Sequence, residues 1–131
     1  MIRKLEARDI PASAEILCRA YNNEIWQCRW ERDTDFRYLE DFFESRKFVG
    51  YAAEEDGQLV GALFAREKIR WNNSEVFVEE MFVRPDLQGR RVGTALLAAL
   101  EKYVRAKGLA GVTLSTNRYA AAPGFYRKNG F

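Results

Sequence analysis

The chain has 131 residues, is 47% hydrophobic and 14% aromatic, and carries a formal net charge of +2. This length and composition predict one folded domain, residues 1–131, with a genuine core, and exclude a disordered chain. So small a charge excludes a basic nucleic-acid surface, and no apolar run approaches the roughly 20 residues that cross a membrane. With no signal-peptide core at the N-terminus, a cytoplasmic protein is expected. There is no His, which removes Ser-His-Asp and Cys-His nucleophile pairs and most zinc sites built from His. Cys18 and Cys28 match no metal spacing, so both are expected to be buried free thiols and no metal is expected.

Ile2 to Glu6 is expected to form the first strand. Asp9 then offers an N-cap, with Pro11 close to the first helical position, where its missing N–H costs nothing. Ile10, Ala14, Leu17, Cys18 and Tyr21 fall on one face of the helix that follows. Thr34 or Asp35 is a second N-cap candidate, ahead of Phe36, Leu39, Phe42 and Phe43. Between and within these helices lies a mixture of Trp26, Trp30, Tyr38 and the phenylalanines with acids. Residues 31–44 hold six acids against Arg32 and Arg37. Two interpretations stay open: an acidic, aromatic-walled mouth that attracts a cationic amine, or an amphipathic helix with a solvated charged face.

Phe48–Ala53 and Leu59–Ala65 are expected strands joined by Glu55-Asp56-Gly57-Gln58, and Asp-Gly is a strong hairpin signal because the turn demands positive φ. Asn72-Asn73-Ser74 marks another turn, leading into a strand at Glu75–Val83. Next comes a polar loop holding Gly89, Arg90, Arg91 and Gly93. Val92, Leu96, Leu100, Tyr103 and Val104 then recur at helical spacing, and Gly108 closes that helix. A strand, a glycine-bearing loop and a helix N-terminus make an anion site, because the first N–H groups of the helix have no partner within it. Residues 111–116 form a further strand, placed parallel to Glu75–Val83 by the helical crossover. Antiparallel strands feeding a glycine loop and helix predict an α+β fold.

Gln88-Gly89-Arg90-Arg91-Val92-Gly93, followed by Thr94-Ala95-Leu96-Leu97, resembles the pyrophosphate-binding motif Arg/Gln-x-x-Gly-x-Gly/Ala of the GNAT superfamily of N-acetyltransferases. Arg91 departs from it, since the family most often has Gly there. Asn117-Arg118-Tyr119-Ala120-Ala121-Ala122-Pro123-Gly124-Phe125-Tyr126-Arg127-Lys128-Asn129-Gly130-Phe131 resembles the second signature of the same family. The resemblance implies an α/β/α layered fold with a mixed, mostly antiparallel central sheet flanked by helices. Family domains usually continue past Gly-Phe into further strands. Those C-terminal strands are missing from this sequence, so an edge covered by a second copy, in a homodimer, is expected.

The resemblance further implies transfer of an acetyl group from acetyl-CoA to a primary amine by direct attack. The expected acceptor is a small molecule such as a polyamine, an aminoglycoside-like compound or an amino-acid derivative. Gln88, Gly89, Arg90, Arg91, Val92, Gly93 and Thr94 would hold the pyrophosphate, and backbone of Met81 and Val83 the pantetheine arm. A backbone N–H at Phe82 or Val83 would polarise the carbonyl, and Asn117 would add a contact. Val78-Glu79-Glu80-Met81-Phe82-Val83 is similar to the Glu-Asp-Phe-Phe-Val of polyamine acetyltransferases, which makes Glu79 the expected base. Alternation along a strand would let only one of the two acids face the cleft, leaving Glu80 as substrate contact or structural acid. Tyr126 matches the tyrosine that protonates the departing thiolate, and Trp26 and Trp30 are candidate substrate contacts. Two alternatives stay open, a GNAT-fold domain that binds CoA or a partner protein without turnover, and an acetyltransferase of protein or peptide amines.

Overall fold

The computed structural model describes residues 1–21, 32–89 and 91–114. Its five strands are β1 (Ile2–Lys4), β2 (Phe48–Glu55), β3 (Gln58–Lys68), β4 (Glu75–Val83) and β5 (Val112–Leu114), hydrogen-bonded in that order. The first four run antiparallel to their neighbours, while β5 lies parallel to β4 after the crossover through α3 (Val92–Lys107). Helices α1 (Ile10–Tyr21) and α2 (Arg32–Phe43) cover one face of the sheet and α3 covers the other. The mixed, mostly antiparallel sheet flanked by helices is the fold the sequence implies.

Strand alternation divides the core into two layers. Val49, Leu63, Ala65, Val76, Val78 and Met81 meet Leu96, Leu97, Leu100 and Val104 of α3. On the opposite face Ala52, Ala62, Phe64 and Phe82 meet Ile10, Ala14 and Leu17 of α1 and Leu39 of α2. Phe64, Leu63, Leu96, Leu100, Leu17 and Leu39 are wholly buried. Burying a side chain of this size contributes about 1.5–3 kcal/mol each, so these two layers fix where the helices sit.

The turns follow their residues. Asp56 and Gly57 take φ of 52° and 76°, the two positive values a type I′ hairpin needs between β2 and β3. Gly108, at φ 65°, ends α3 and donates its N–H to Arg105 and Val104 carbonyls. One expected cap is built differently. Asp9 ends a single 3₁₀ turn (Ala7–Asp9), and its carboxylate reaches back to the Glu6 N–H at 2.8 Å and the Arg3 guanidinium at 2.8 Å. Arg3 is also bonded to Glu54 of β2, so Asp9 clamps the chain entering α1 onto the sheet edge.

Candidate active site

The strand β4 contains one residue too many for its partner. Val78 lies opposite Ala65 and Glu80 opposite Phe64, so Glu79 is the extra residue of a β-bulge. The consequence overturns the expected alternation of the two acids. Glu80 shares the face of its partner Phe64, which is the face covered by α1 and α2. Glu79 pairs with Arg66 of β3 at 2.7 Å, and Arg66 lies opposite Phe77 on that same face. Both carboxylates therefore face α1 and α2.

They are not equivalent. Glu79 is held in its ion pair with Arg66, with the arginine nearly half exposed. Glu80 keeps only part of its surface open and has no cation of its own among these contacts. Burial pushes its carboxyl up to about 7, the Tyr38 hydroxyl of α2 opposes this by donating a hydrogen bond, and the charge of Glu79 adds to the rise. A carboxylate poised near neutrality accepts a proton far more readily than one at the ordinary value. Neither Arg66 nor Tyr38 is marked for these contacts by local sequence, because both pairings are made across elements.

Beyond the bulge, the outer edge of β4 has a defined polarity. The Arg84 N–H donates to the Val60 carbonyl of β3 at 2.8 Å, which turns the Val83 carbonyl the other way. Counting back along the extended strand, Met81 and Val83 direct their backbone groups away from β3, while the Phe82 amide points toward it. Of the two residues offered for carbonyl polarisation, Val83 and not Phe82 has its N–H on the outer side. The side-chain amide of Gln88 reaches the Val83 carbonyl at 3.4 Å. Among the described residues, β5 accompanies β4 only from Val76 to Val78.

The loop after β4 turns through a short 3₁₀ segment (Pro85–Leu87) and delivers the chain to α3. Gly89 has φ 87° and Arg91, the N-cap, has φ 65°. Arg91 thus holds the left-handed conformation that glycine adopts most readily. No side chain caps α3, and its first internal hydrogen bond is the Ala95 N–H to the Arg91 carbonyl at 3.0 Å. The N–H groups of Val92, Gly93 and Thr94 consequently have no partner within the helix. Gly93 is buried and Thr94 half-buried, so backbone rather than side chain forms the lip of this turn. N–H groups without an intrahelical partner at the positive end of a 16-residue helix suit a diphosphate, and the outward amides of Met81 and Val83 suit an extended amide-bearing arm. These residues fit coenzyme A. A depression of about 160 Å³ beside this helix end is lined by Met1, Glu54, Glu55, Val60, Arg91 and Val92.

The α2 segment divides between the two interpretations open at the sequence level. Asp33 and Arg37 form an exposed ion pair and Asp41 and Glu44 are exposed, as on a solvated helix face. Asp35 is wholly buried, its carboxyl raised by burial, with the Cys18 thiol of α1 acting in the opposite direction. Its carboxylate oxygens make no hydrogen bond of conventional geometry, so the thiol is at best a weak partner. Trp26, Cys28, Trp30, Arg90, Asn117 and Tyr126 lie outside the described residues. Among the described residues there is no His, Cys, Asp and Glu cluster able to hold a metal, and no helix is long and apolar enough to cross a membrane.

Comparison with known proteins bears on the same elements. The mycothiol acetyltransferase of Streptomyces coelicolor is 31% identical over 102 residues, which is 77% of this chain and 32% of that protein. The IAA acetyltransferase of Azospirillum brasilense is 42% identical over 55 residues, 41% of this chain and 36% of that protein. The chain spans about a third of the length of these curated relatives. Among solved structures, a ribosomal-protein-alanine N-acetyltransferase from Brucella melitensis biovar Abortus 2308 superposes with a TM-score of 0.78 at 22% identity, covering 98% of this chain and 89% of that one. An aminoglycoside N-acetyltransferase in complex with CoA does so with a TM-score of 0.78 at 19% identity, covering 100% of this chain and 86% of that one. At such identities the structural likeness establishes the fold. The family model for the acetyltransferase (GNAT) family matches residues 14–131, and the chain belongs to that family.

Proposed function

We propose that the chain transfers an acetyl group from acetyl-CoA to the primary amine of a small molecule, with Glu80 as the general base. The observation that carries this assignment is the bulge at Glu79. It turns a second carboxylate, one with proton affinity near neutrality, onto the face shared with α1 and α2. The sequence resemblance favours Glu79 for the role. Its ion pair with Arg66 instead suits it to holding charge, while Glu80 suits proton transfer.

Bound acetyl-CoA would supply an acyl group activated as a thioester. The N–H groups of Val92, Gly93 and Thr94 hold its diphosphate, with Arg91 at the same turn, and Gln88, Gly89 and Arg90 complete the loop. Backbone of Met81 and Val83 would hold the arm as an added strand would, and the outward Val83 N–H would be available to an oxygen that gains charge. An amine is protonated at neutral pH and cannot attack until it loses a proton. Glu80 takes that proton, directly or through water. Tyr126 and Asn117 keep the roles the second signature implies, proton donor and cofactor contact, and Trp26 and Trp30 those of acceptor contacts. A small-molecule acceptor is supported by relatives named for mycothiol and IAA.

The test is release of free CoA from acetyl-CoA in the presence of a panel of amines, with peptides bearing free N-termini as a second panel. Turnover of small amines that is lost in Glu80→Gln and largely kept in Glu79→Gln is the expected result. Full turnover in Glu80→Gln removes Glu80 as base, and faster turnover of the peptides moves the acceptor class to protein amines. Calorimetry that finds no affinity for CoA would dismiss the cofactor assignment itself.

A further inference from the structure

The proton acceptor on β4 is tied to a different layer of the fold. Tyr38 stands in the second turn of α2, packed against the cluster that contains Phe64 and Phe82. Phe64 is the residue directly across from Glu80, and Phe82 lies two positions farther along β4 on the same face. The phenol is thus held where Glu80 emerges from the sheet. Its ring is fixed from the other side by Phe42, edge-on with centroids 4.7 Å apart and planes at 74°. A tyrosine so held presents its hydroxyl in one direction.

We propose that Tyr38 is a positioning residue for the acetyl transfer, its hydroxyl fixing the orientation of the Glu80 carboxylate and setting the pH at which that carboxylate is free to accept a proton. The inference rests on Glu80 being the base. Among the described residues, the groups around Glu80 assign the effect to Tyr38 in particular. Glu79, beside it on β4, raises its proton affinity, and Arg66 of β3 is engaged with Glu79. From α1 this face receives the apolar Ile10, Ala14 and Leu17, and the Cys18 thiol of that helix is directed to Asp35. From α2 comes Tyr38, whose O–H donates to the carboxylate and favours the charged form over the protonated one. It is the counterweight that keeps a buried acid with an acidic neighbour usable at neutral pH.

Tyr38→Phe keeps the ring against Phe42 and removes the hydroxyl alone. One hydrogen bond to a carboxylate corresponds to about half to one pH unit in the midpoint of Glu80. In the pH profile of kcat/KM the acidic limb should therefore move up by that amount. Turnover should fall about three- to tenfold at pH 6 and approach the wild-type value above pH 8. A purely structural role would lower the rate equally at every pH and leave the limb where it was, which overturns the proposal. The second readout needs no substrate. The carbon-13 carboxyl resonance of Glu80, identified by its loss in Glu80→Gln, should titrate near 7 in the wild type and higher in Tyr38→Phe. An unmoved midpoint overturns the proposal whatever the kinetics. A moved midpoint in a protein that turns over no amine would leave the Tyr38–Glu80 pair standing and dismiss the acetyltransfer.

Discussion

Glu80→Gln should make the protein more stable, and by an amount that grows with pH. In the folded chain the Glu80 carboxyl is pushed from the ordinary 4.5 up to about 7, first by burial, with the charge of Glu79 adding and the Tyr38 hydrogen bond opposing. At about 1.4 kcal/mol per pH unit, the gap corresponds to about 3 kcal/mol. Its sign follows from which state binds the proton. Below pH 4.5 both the folded and unfolded chains are protonated at this position, and Glu80 costs nothing. Between 4.5 and 7 the unfolded chain gives up its proton while the folded one keeps it, so stability falls as pH rises. Above 7 the folded carboxylate is charged and the full penalty is present. Glutamine has the shape of the protonated acid and titrates nowhere in this range. Its oxygen still accepts from Tyr38. The difference in unfolding free energy, mutant minus wild type, should be near zero at pH 4.5 and reach about 2–3 kcal/mol at pH 8, the lower figure allowing for the part of Glu80 open to water.

Urea unfolding of both proteins at half-unit intervals from pH 4.5 to 8.5 measures this directly. Groups remote from Glu80 titrate alike in both proteins and cancel in the difference. At about 131 residues, the gain corresponds to a rise in Tm of roughly 8 °C at pH 8. A gap that stays constant across the range would show that Glu80 ionises as an ordinary surface acid. Its assignment as base would then lose its physical ground. A stabilised protein that no longer turns over amines would be the signature of a site kept at the expense of the fold.

Other substitutions probe the elements that hold this site. Arg91→Gly should leave stability unchanged or raise it by up to about 1 kcal/mol, because relief of the left-handed φ of 65° exceeds the added freedom of the unfolded chain; Arg91→Val should lose more than about 1 kcal/mol, and two equal urea midpoints would contradict this. Gly61→Ala places a methyl 3.0 Å from the Phe82 carbonyl oxygen and 3.2 Å from Val92, so it should cost about 1–3 kcal/mol and, by lifting the first turn of α3 off the sheet, weaken CoA binding several-fold by calorimetry. Asp9→Ala strips the Arg3 guanidinium and the Glu6 N–H of their shared acceptor and should cost about 2–4 kcal/mol by urea unfolding. Burial opposes ionisation of Asp9, yet Arg3 and the Glu6 N–H outweigh it and hold its carboxyl below the ordinary value, so its contribution is present above pH 4 and lost as pH falls through its lowered folded value; an acid-unfolding curve shared by wild type and Asp9→Asn would refute this.

Much of the fold was legible because local chemistry decides it. Asp56-Gly57 supplies both positive φ angles of a hairpin, Gly108 supplies the helix stop, and a helix between two strands imposes their parallel pairing. Asp9 was legible as a cap yet not as what it is. Its partner Arg3 sits six residues back and Glu54 on another strand, and no local rule connects them. The candidate site divides the same way. The turn into α3 could be placed from Gln88 to Thr94, including the departure at Arg91, whose φ of 65° the structure supplies. Tyr38 was visible only as one aromatic among acids, because its meaning depends on α2 crossing the sheet at the bulge.

The expectation that Glu79 and Glu80 lie on opposite faces of β4 fails at the bulge, as strict alternation also fails where β2 meets β3 at Ala53 and Glu54. Alternation gives each strand an inner and an outer set, and one inserted residue exchanges them. The exchange is written in the apolar pattern of β4. Residues facing α3 are Val76 and Val78 before the insertion but Met81 and Val83 after it, so the parity changes from even to odd across Glu79-Glu80. A regular strand would have placed one of these acids against α3, in a layer filled by Leu96 and Leu100, where neither charge has a partner. The bulge removes that conflict and sets two carboxylates on one face. Burial is what chiefly raises the proton affinity of Glu80; the Tyr38 hydrogen bond offsets part of that rise, and the charge of Glu79 adds a smaller increment to it. Arg66→Met removes the cation that Glu79 meets on this face. With the arginine nearly half exposed, the loss should be modest, about 0.5–1 kcal/mol by urea unfolding at pH 7. An unchanged urea midpoint would mean that Arg66 is a surface partner of no consequence.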